Sequence, residues 1–182
     1  MTISRRQLFR LRPSKLMDLA FEDKKESKIK SYIRPPGVVS EDLFLDKCDN
    51  CSACLEACPH GVIKKLGPEA GKFEYTPYLN PRELPCHWCT DFDCIKACPS
   101  GVLSKNNDEK VKPIAKALVD MNSCLISLGT ICDECRSVCP SELRAIKIFD
   151  RQVHIDLDKC SGCGLCSFYC DNAGSAIKIE NI

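Results

Sequence analysis

Cys160-Ser161-Gly162-Cys163-Gly164-Leu165-Cys166-Ser167-Phe168-Tyr169-Cys170 reads C-x2-C-x2-C-x3-C. Three cysteines at steps of three wrap the backbone around one small object, with their sulfurs turned inward. Gly162 and Gly164 let the backbone come close and free its N–H groups to face a negatively charged partner. Cys170 lies about one helical turn further on and points elsewhere.

The chain repeats this pattern three more times. Cys48, Cys51, Cys54 and Cys58 have the same spacing, followed by Pro59. Cys86, Cys89, Cys94 and Cys98 read C-x2-C-x4-C-x3-C, then Pro99. Cys124, Cys132, Cys135 and Cys139 read C-x7-C-x2-C-x3-C, then Pro140. All 16 cysteines fall into these four sets, with none left over. Such a run holds an iron–sulfur cluster with its first three cysteines and sends the fourth to the other cluster of a pair. A secreted disulfide framework does not place cysteines at a repeated step of three. Structural zinc takes paired C-x-x-C knuckles and fits these triplets poorly, least badly at 124–139.

The 182 residues suggest one or two small domains. Hydrophobic residues make up 44 %, but about 35 % once the cysteines are set aside. With 11 prolines and 9 glycines the apolar core is thin, and a fold of this kind needs internal staples, which clusters would supply. Net charge is +1, giving no global case for nucleic acid. Residues 1–30 hold nine Lys/Arg against four Asp/Glu, so the start is net +5 and the rest net −4. That is a basic docking arm or a solvated tail.

Ser4-Arg5-Arg6 opens like a twin-arginine export signal, but Leu19-Ala20-Phe21 is the longest apolar run up to residue 30. An h-region is missing, and no stretch reaches the ~20 apolar residues of a transmembrane helix. The expectation is a cytoplasmic, non-spanning protein, with a peripheral place at the inner membrane face as a variant. Reducing conditions also suit thiolates that hold iron.

Glu41 to Asp46 suggests a short turn of helix or strand. Phe73-Glu74-Tyr75-Thr76 alternates as a strand would, and Pro77, Pro81 and Pro85 suggest an extended approach to Cys86. Ala115-Lys116-Ala117-Leu118-Val119-Asp120 is a further apolar piece. Ala145 to Asp156 reads as a hairpin, and Ala176-Ile177-Lys178-Ile179 as one more strand. The expected repeat is cysteine run, short strand, turn, short strand, next run. Ile63, Ile95, Ile126, Ile146 and Ile177 should pack near the runs.

The chain resembles the ferredoxin-type accessory proteins of the NapF/NapG/MauM group from Arg34 to Ile179. The marks are Arg34-Pro35-Pro36-Gly37, Thr76-Pro77-Tyr78, the x4 gap before Cys94 and the x7 gap after Cys124. The second run is similar to NapG and MauM, and the start without a secretion core is similar to NapF. Asp171 departs from the ferredoxin pattern, which has proline after the fourth cysteine. The resemblance implies four [4Fe–4S] clusters. It also implies either electron transfer between a quinol-side membrane subunit and a reductase, or a role in maturing a cytoplasmic molybdoenzyme precursor.

The fold class expected is α+β: tandem bacterial-type 2[4Fe–4S] ferredoxin-like modules with small β-hairpins and short helices. The segments are a basic tail (1–33), a first dicluster module (34–112) and a second (113–182). The hairpin between the third and fourth runs favours sequential pairing of runs. Cys48, Cys51, Cys54 and Cys98 would then share a cluster, as would Cys86, Cys89, Cys94 and Cys58. Cys124, Cys132, Cys135 and Cys170 would hold a third, and Cys160, Cys163, Cys166 and Cys139 a fourth. The rival pairs the first run with the fourth and the second with the third. Either way the expected role is a wire for single electrons. No phosphate loop, nucleophile elbow or acid–base pair points to catalysis. Each run already has four cysteines, so His60 and His87 are expected beside the centres rather than as ligands. His154, between Val153 and Ile155, is expected to face solvent, and Trp88 to shield a cluster from water.

Overall fold

Every regular element is short, and the sequence dictates why. Prolines and cysteine runs interrupt each apolar stretch before it can reach a third helical turn. The computed structural model describes residues 32–170 and 176–182. The basic tail up to residue 31, the twin-arginine-like start and Asp171 lie outside the described residues. Residues Tyr32–Ile182 group as one compact unit.

Helix α1 spans Glu41–Lys47. Ser40 caps it by accepting from the Leu43 N–H, Glu41 and Asp42 occupy the first turn, and Lys47 the last, the arrangement a helix dipole favours. Its inward residue is Phe44, 1 % exposed. Four single-turn helices follow, one in each cysteine run: α2 (Ala53–Glu56), α3 (Asp93–Lys96), α4 (Glu134–Ser137) and α5 (Leu165–Phe168). Each carries the third cysteine of its run in its second position, and each of those cysteines is buried. The fourth cysteine comes just after the helix. Helix α2 packs on α3, and α4 on α5.

Strand β1 (Ile63–Lys65) pairs antiparallel with β2 (Pro77–Leu79), in register Ile63 to Leu79. β3 (Lys116–Val119) pairs with β6 (Ile177–Glu180), from Lys116–Glu180 to Val119–Ile177. β4 (Ile146–Phe149) and β5 (Gln152–Ile155) form the hairpin expected between the third and fourth runs. Small antiparallel sheets with few short helices make the fold α+β.

Three expectations are corrected. Residues 73–76 do not form a strand. Pro68–Phe73 is 3-10 helix, kinked at Gly71, and Tyr75 turns the chain at a φ of 57°. The strand begins at Pro77, where the chain is free to meet β1. The approach to Cys86 is not extended throughout, because Asn80 O accepts from the N–H of both Glu83 and Leu84 and closes a turn. Nor do the pieces after the second run pair with each other. Leu103 bridges to Val38, which precedes the first run, and β3 crosses to β6. The pieces that flank two consecutive runs find each other, while the hairpin sits between those runs.

Arg34 explains two of the sequence marks together. Its side chain is 5 % exposed. Nη1 donates to Thr76 Oγ1 (2.9 Å) and Pro77 O (2.8 Å), while Nε and Nη2 fork onto Glu41. The guanidinium lies 4.8 Å from the Phe44 ring centroid, a favourable cation–π placement. A buried arginine thus joins the lead segment, α1 and β2.

Candidate metal centres

The four cysteine runs close on four cavities. The first is lined by Cys48, Cys51, Cys54 and Cys98, with a volume of about 340 Å3. The second is lined by Cys86, Cys89, Cys94 and Cys58, about 370 Å3. The third has Cys124, Cys132, Cys135 and Cys170, about 390 Å3. The fourth has Cys160, Cys163, Cys166 and Cys139, about 310 Å3. Each cavity takes three cysteines from one run and the last from its neighbour. This follows from the paired helices: each delivers its third cysteine inward, then releases its fourth toward the other run. Among the described residues no three His, Cys, Asp or Glu side chains meet closely enough to hold a single metal ion. The sulfurs surround a volume rather than a point.

A tight left-handed turn starts three of the four helices. Ser52 (φ 74°), Phe92 (φ 48°) and Gly164 (φ 91°) each stand two residues before the third cysteine. The x4 gap of the second run therefore adds its extra residues before this turn and leaves the turn itself in place. In the third run Asp133 has φ −144° instead, and the long x7 loop leaves Leu128 and Ile131 exposed.

Electrostatics agree with a metal-binding role. Burial pushes the thiols of Cys54 and Cys86 up to about 12 and those of Cys94 and Cys135 to about 11. Burial and then the neighbouring sulfurs raise Cys166 as well. Isolated thiolates are disfavoured here, so without a metal these sulfurs stay protonated, and binding one would require them to give up their protons. Cys98 differs. Burial raises it, but the Ser100 hydroxyl and the N–H groups of Leu103, Val102 and Gly101 outweigh that and bring it below its ordinary value.

The fourth cavity supplies a further test of fit. Ser161 is 2 % exposed and lines that cavity, and its hydroxyl acts on the Cys163 sulfur, opposing the rise that burial gives that thiol. A hydroxyl aimed at a cysteine sulfur favours the thiolate that binds metal. The donor set and this hydroxyl fit an iron–sulfur cluster.

The aromatic and apolar residues divide. Ile63 lines the second cavity, Ile126 and Ile177 the third, and Ile146 the fourth; Ile95 is partly buried against the first core. His60 and His87 line the second cavity and stack on each other at 3.6 Å between ring centres. Phe92 also lines that cavity, and Trp88 sits edge-on against it at 5.2 Å, so Trp88 covers the wall rather than forming it. His154 lies on the outer face of the hairpin with exposed Lys147, Phe149 and Gln152, as the alternation suggested, but it is partly covered there. It stacks flat on Phe149 at 3.8 Å, and its Nε2 is buried without a partner among the described residues. The two-residue turn at Asp150 and Arg151, both at positive φ, sets Phe149 across from Gln152 and close enough to cover the imidazole.

Sequence reasoning missed Ser161 and Lys65 as cavity residues. Lys65 lines the first cavity, with Nζ donating to Asn50 O. Ser161 lay within the quoted run, but its neighbours in sequence carry no sign of what its hydroxyl meets. Lys65 has no spacing signal at all.

Residues 47–102 match the family model described as a 4Fe-4S dicluster domain. The methylamine utilization ferredoxin-type protein MauM of Methylorubrum extorquens is 36 % identical over 159 residues, covering 81 % of this chain and 71 % of that protein. The ferredoxin-type protein NapG of Escherichia coli is 34 % identical over 164 residues, covering 81 % and 69 %. MauM of Paracoccus denitrificans is 34 % identical over 162 residues, covering 81 % and 70 %. With four cysteine-lined cavities, a matched dicluster domain and relatives aligned over most of both chains, the protein belongs to the NapG and MauM family of ferredoxin-type iron–sulfur proteins.

Proposed function

We propose that this chain carries four [4Fe–4S] clusters and relays single electrons between a protein donor and a protein acceptor, without catalysing a reaction itself. The observation that carries the reading is the sorting of all sixteen cysteines into four cavities of four. The ligand sets are Cys48, Cys51, Cys54 and Cys98; Cys86, Cys89, Cys94 and Cys58; Cys124, Cys132, Cys135 and Cys170; and Cys160, Cys163, Cys166 and Cys139. They follow the sequential pairing of runs, and the two halves are dicluster modules of 34–112 and 113–182. Cys98 lining the cavity of Cys48, Cys51 and Cys54 supports the sequential pairing over the rival one, which would bring Cys170 there.

A bound [4Fe–4S] cluster supplies a one-electron couple, with a potential within about −700 to +450 mV set by its surroundings. The chain's residues do the tuning. Cys54, Cys94, Cys135 and Cys166 hold the inner faces away from water. Ser161 offers a hydrogen bond within the fourth cavity. Phe92, backed by Trp88, closes one wall of the second. No helix among the described residues is long and apolar enough to cross a membrane. We place the protein in the cytoplasm, where sixteen thiols stay reduced until iron is loaded, with a quinol-side membrane subunit or another protein as donor and a reductase as acceptor. Anaerobic titration of the loaded chain followed by EPR tests this: reversible one-electron reduction of several interacting centres supports the relay, and an iron-loaded chain that takes up no electron refutes it.

A further inference from the structure

Helices α2 and α3 pack together and set the first cavity against the second, and helices α4 and α5 pack together and set the third against the fourth. Between the halves, the Cys86 N–H donates to Cys163 O at 2.9 Å. Cys86 belongs to the second cavity and Cys163 to the fourth.

One glycine of the quoted run serves this contact. A Cβ on Gly164 would lie 2.3 Å from Pro81 Cβ, so the close approach it permits is to the other half of the chain, while Gly162 makes room for Ala115 of its own half. Each of the four cavities is lined by residues of its own half, and the contact between halves falls at Cys86 and Cys163, in the walls of the second and fourth.

We infer that the centres lie in the order first, second, fourth, third, with the backbone hydrogen bond from Cys86 to Cys163 as the crossing between halves. This rests on the four-cluster reading. It goes beyond that reading by making the second and fourth centres internal and the first and third the ends where partners exchange electrons. The route from Cys86 Sγ to Cys163 Sγ runs through covalent bonds interrupted by one hydrogen bond. The fourth set has three buried cysteines, whereas Cys51 of the first set is the exposed cysteine among the sixteen; the second and third sets are alike, with two buried each.

The test is EPR relaxation on anaerobically loaded, fully reduced full-length chain, comparing Cys51→Ala, Cys89→Ala, Cys160→Ala and Cys132→Ala. Each variant should retain about 12 iron when one cluster is lost. Removing an internal centre, by Cys89→Ala or Cys160→Ala, should leave one isolated, slowly relaxing signal beside a coupled pair. Removing an end centre, by Cys51→Ala or Cys132→Ala, should leave three coupled centres and no isolated signal. An isolated signal after Cys51→Ala or Cys132→Ala, or none after the internal changes, overturns the order. Amide exchange on the loaded wild type needs no variant: the Cys86 N–H should exchange slowly, and fast exchange there overturns the crossing. Failure of the four-cluster reading would show earlier, as wild-type iron well below about 16, and would remove the order with it.

Discussion

Arg34→Ala should destabilise the loaded protein by about 4 kcal/mol. The guanidinium makes two buried hydrogen bonds, to Thr76 Oγ1 and Pro77 O, and a hydrogen bond from a charged group contributes roughly 1.5–3 kcal/mol. Its fork onto Glu41 is worth less, because that carboxylate is 40 % exposed and solvent screens it to about 1 kcal/mol or below. The stack on Phe44 adds roughly 1 kcal/mol. These effects share one side chain and do not sum fully, so about 4 kcal/mol lies within the roughly 3–5 kcal/mol seen when a buried charged partner is removed. At about 2–4 °C per kcal/mol for a chain of this size, the apparent melting temperature should fall by roughly 8–16 °C. The assay is anaerobic thermal unfolding at fixed scan rate, followed by far-ultraviolet circular dichroism and cluster absorbance. Glu41→Ala should cost about 1 kcal/mol or less, and Arg34→Lys should lie between, since lysine restores charge without the planar fork. An Arg34→Ala midpoint within about 2 °C of wild type, or a Glu41→Ala loss as large as that of Arg34→Ala, would refute the assignment of Arg34 as the joint.

Ser161→Ala should lower the potential of one centre by about 40 mV, the equivalent of about 1 kcal/mol for one hydrogen bond, and leave the others in place; redox titration showing no shift removes the role given to this hydroxyl. Gly162→Ala should be far more damaging than Gly61→Ala. Both glycines have positive φ, but a Cβ at 162 meets the Ala115 backbone whereas one at 61 meets nothing within 4 Å; equal melting temperatures would contradict the close approach. Loading should release protons, because burial raises the thiols of Cys54, Cys86, Cys94 and Cys135 above the ordinary 9.0. They are neutral at pH 7 and must deprotonate to bind iron, so reconstitution yield should rise from about pH 7 to 9, and a yield falling over that range would contradict the sign. Iron removal should unfold the chain, since no strand exceeds 4 residues and no helix 7 among those described. Circular dichroism and protease sensitivity report this, and a chelated chain with unchanged spectrum and resistance refutes it.

Much of the site was legible because cysteine spacing is a local code. Each run encodes its own turn, and the Ala145–Asp156 hairpin lies within one short stretch. What was not legible depends on distant partners. Nothing near Lys116 announces its pairing with Glu180, and nothing near Leu103 announces Val38. The alternation at 73–76 suggested a strand, but Pro68 and Gly71 turned that stretch into a kinked helix. Alternation placed His154 on the outer face, where it lies, but gave no sign that the diagonal Phe149 would stack on it and cover part of the ring. Arg34-Pro35-Pro36-Gly37 stood out as a pattern, but its reason appeared only once Thr76 and Pro77 lay against the guanidinium.

The most direct test of the four-centre account is iron and acid-labile sulfide per chain on anaerobically purified protein, with Mössbauer and EPR spectra of the same sample. The account predicts about 16 of each, with signals broadened by coupling between neighbours. About 12 of each, or zinc in place of iron, would contradict it, and the x7 run from Cys124 to Cys132 would be the first to doubt, because its longer loop costs more to close.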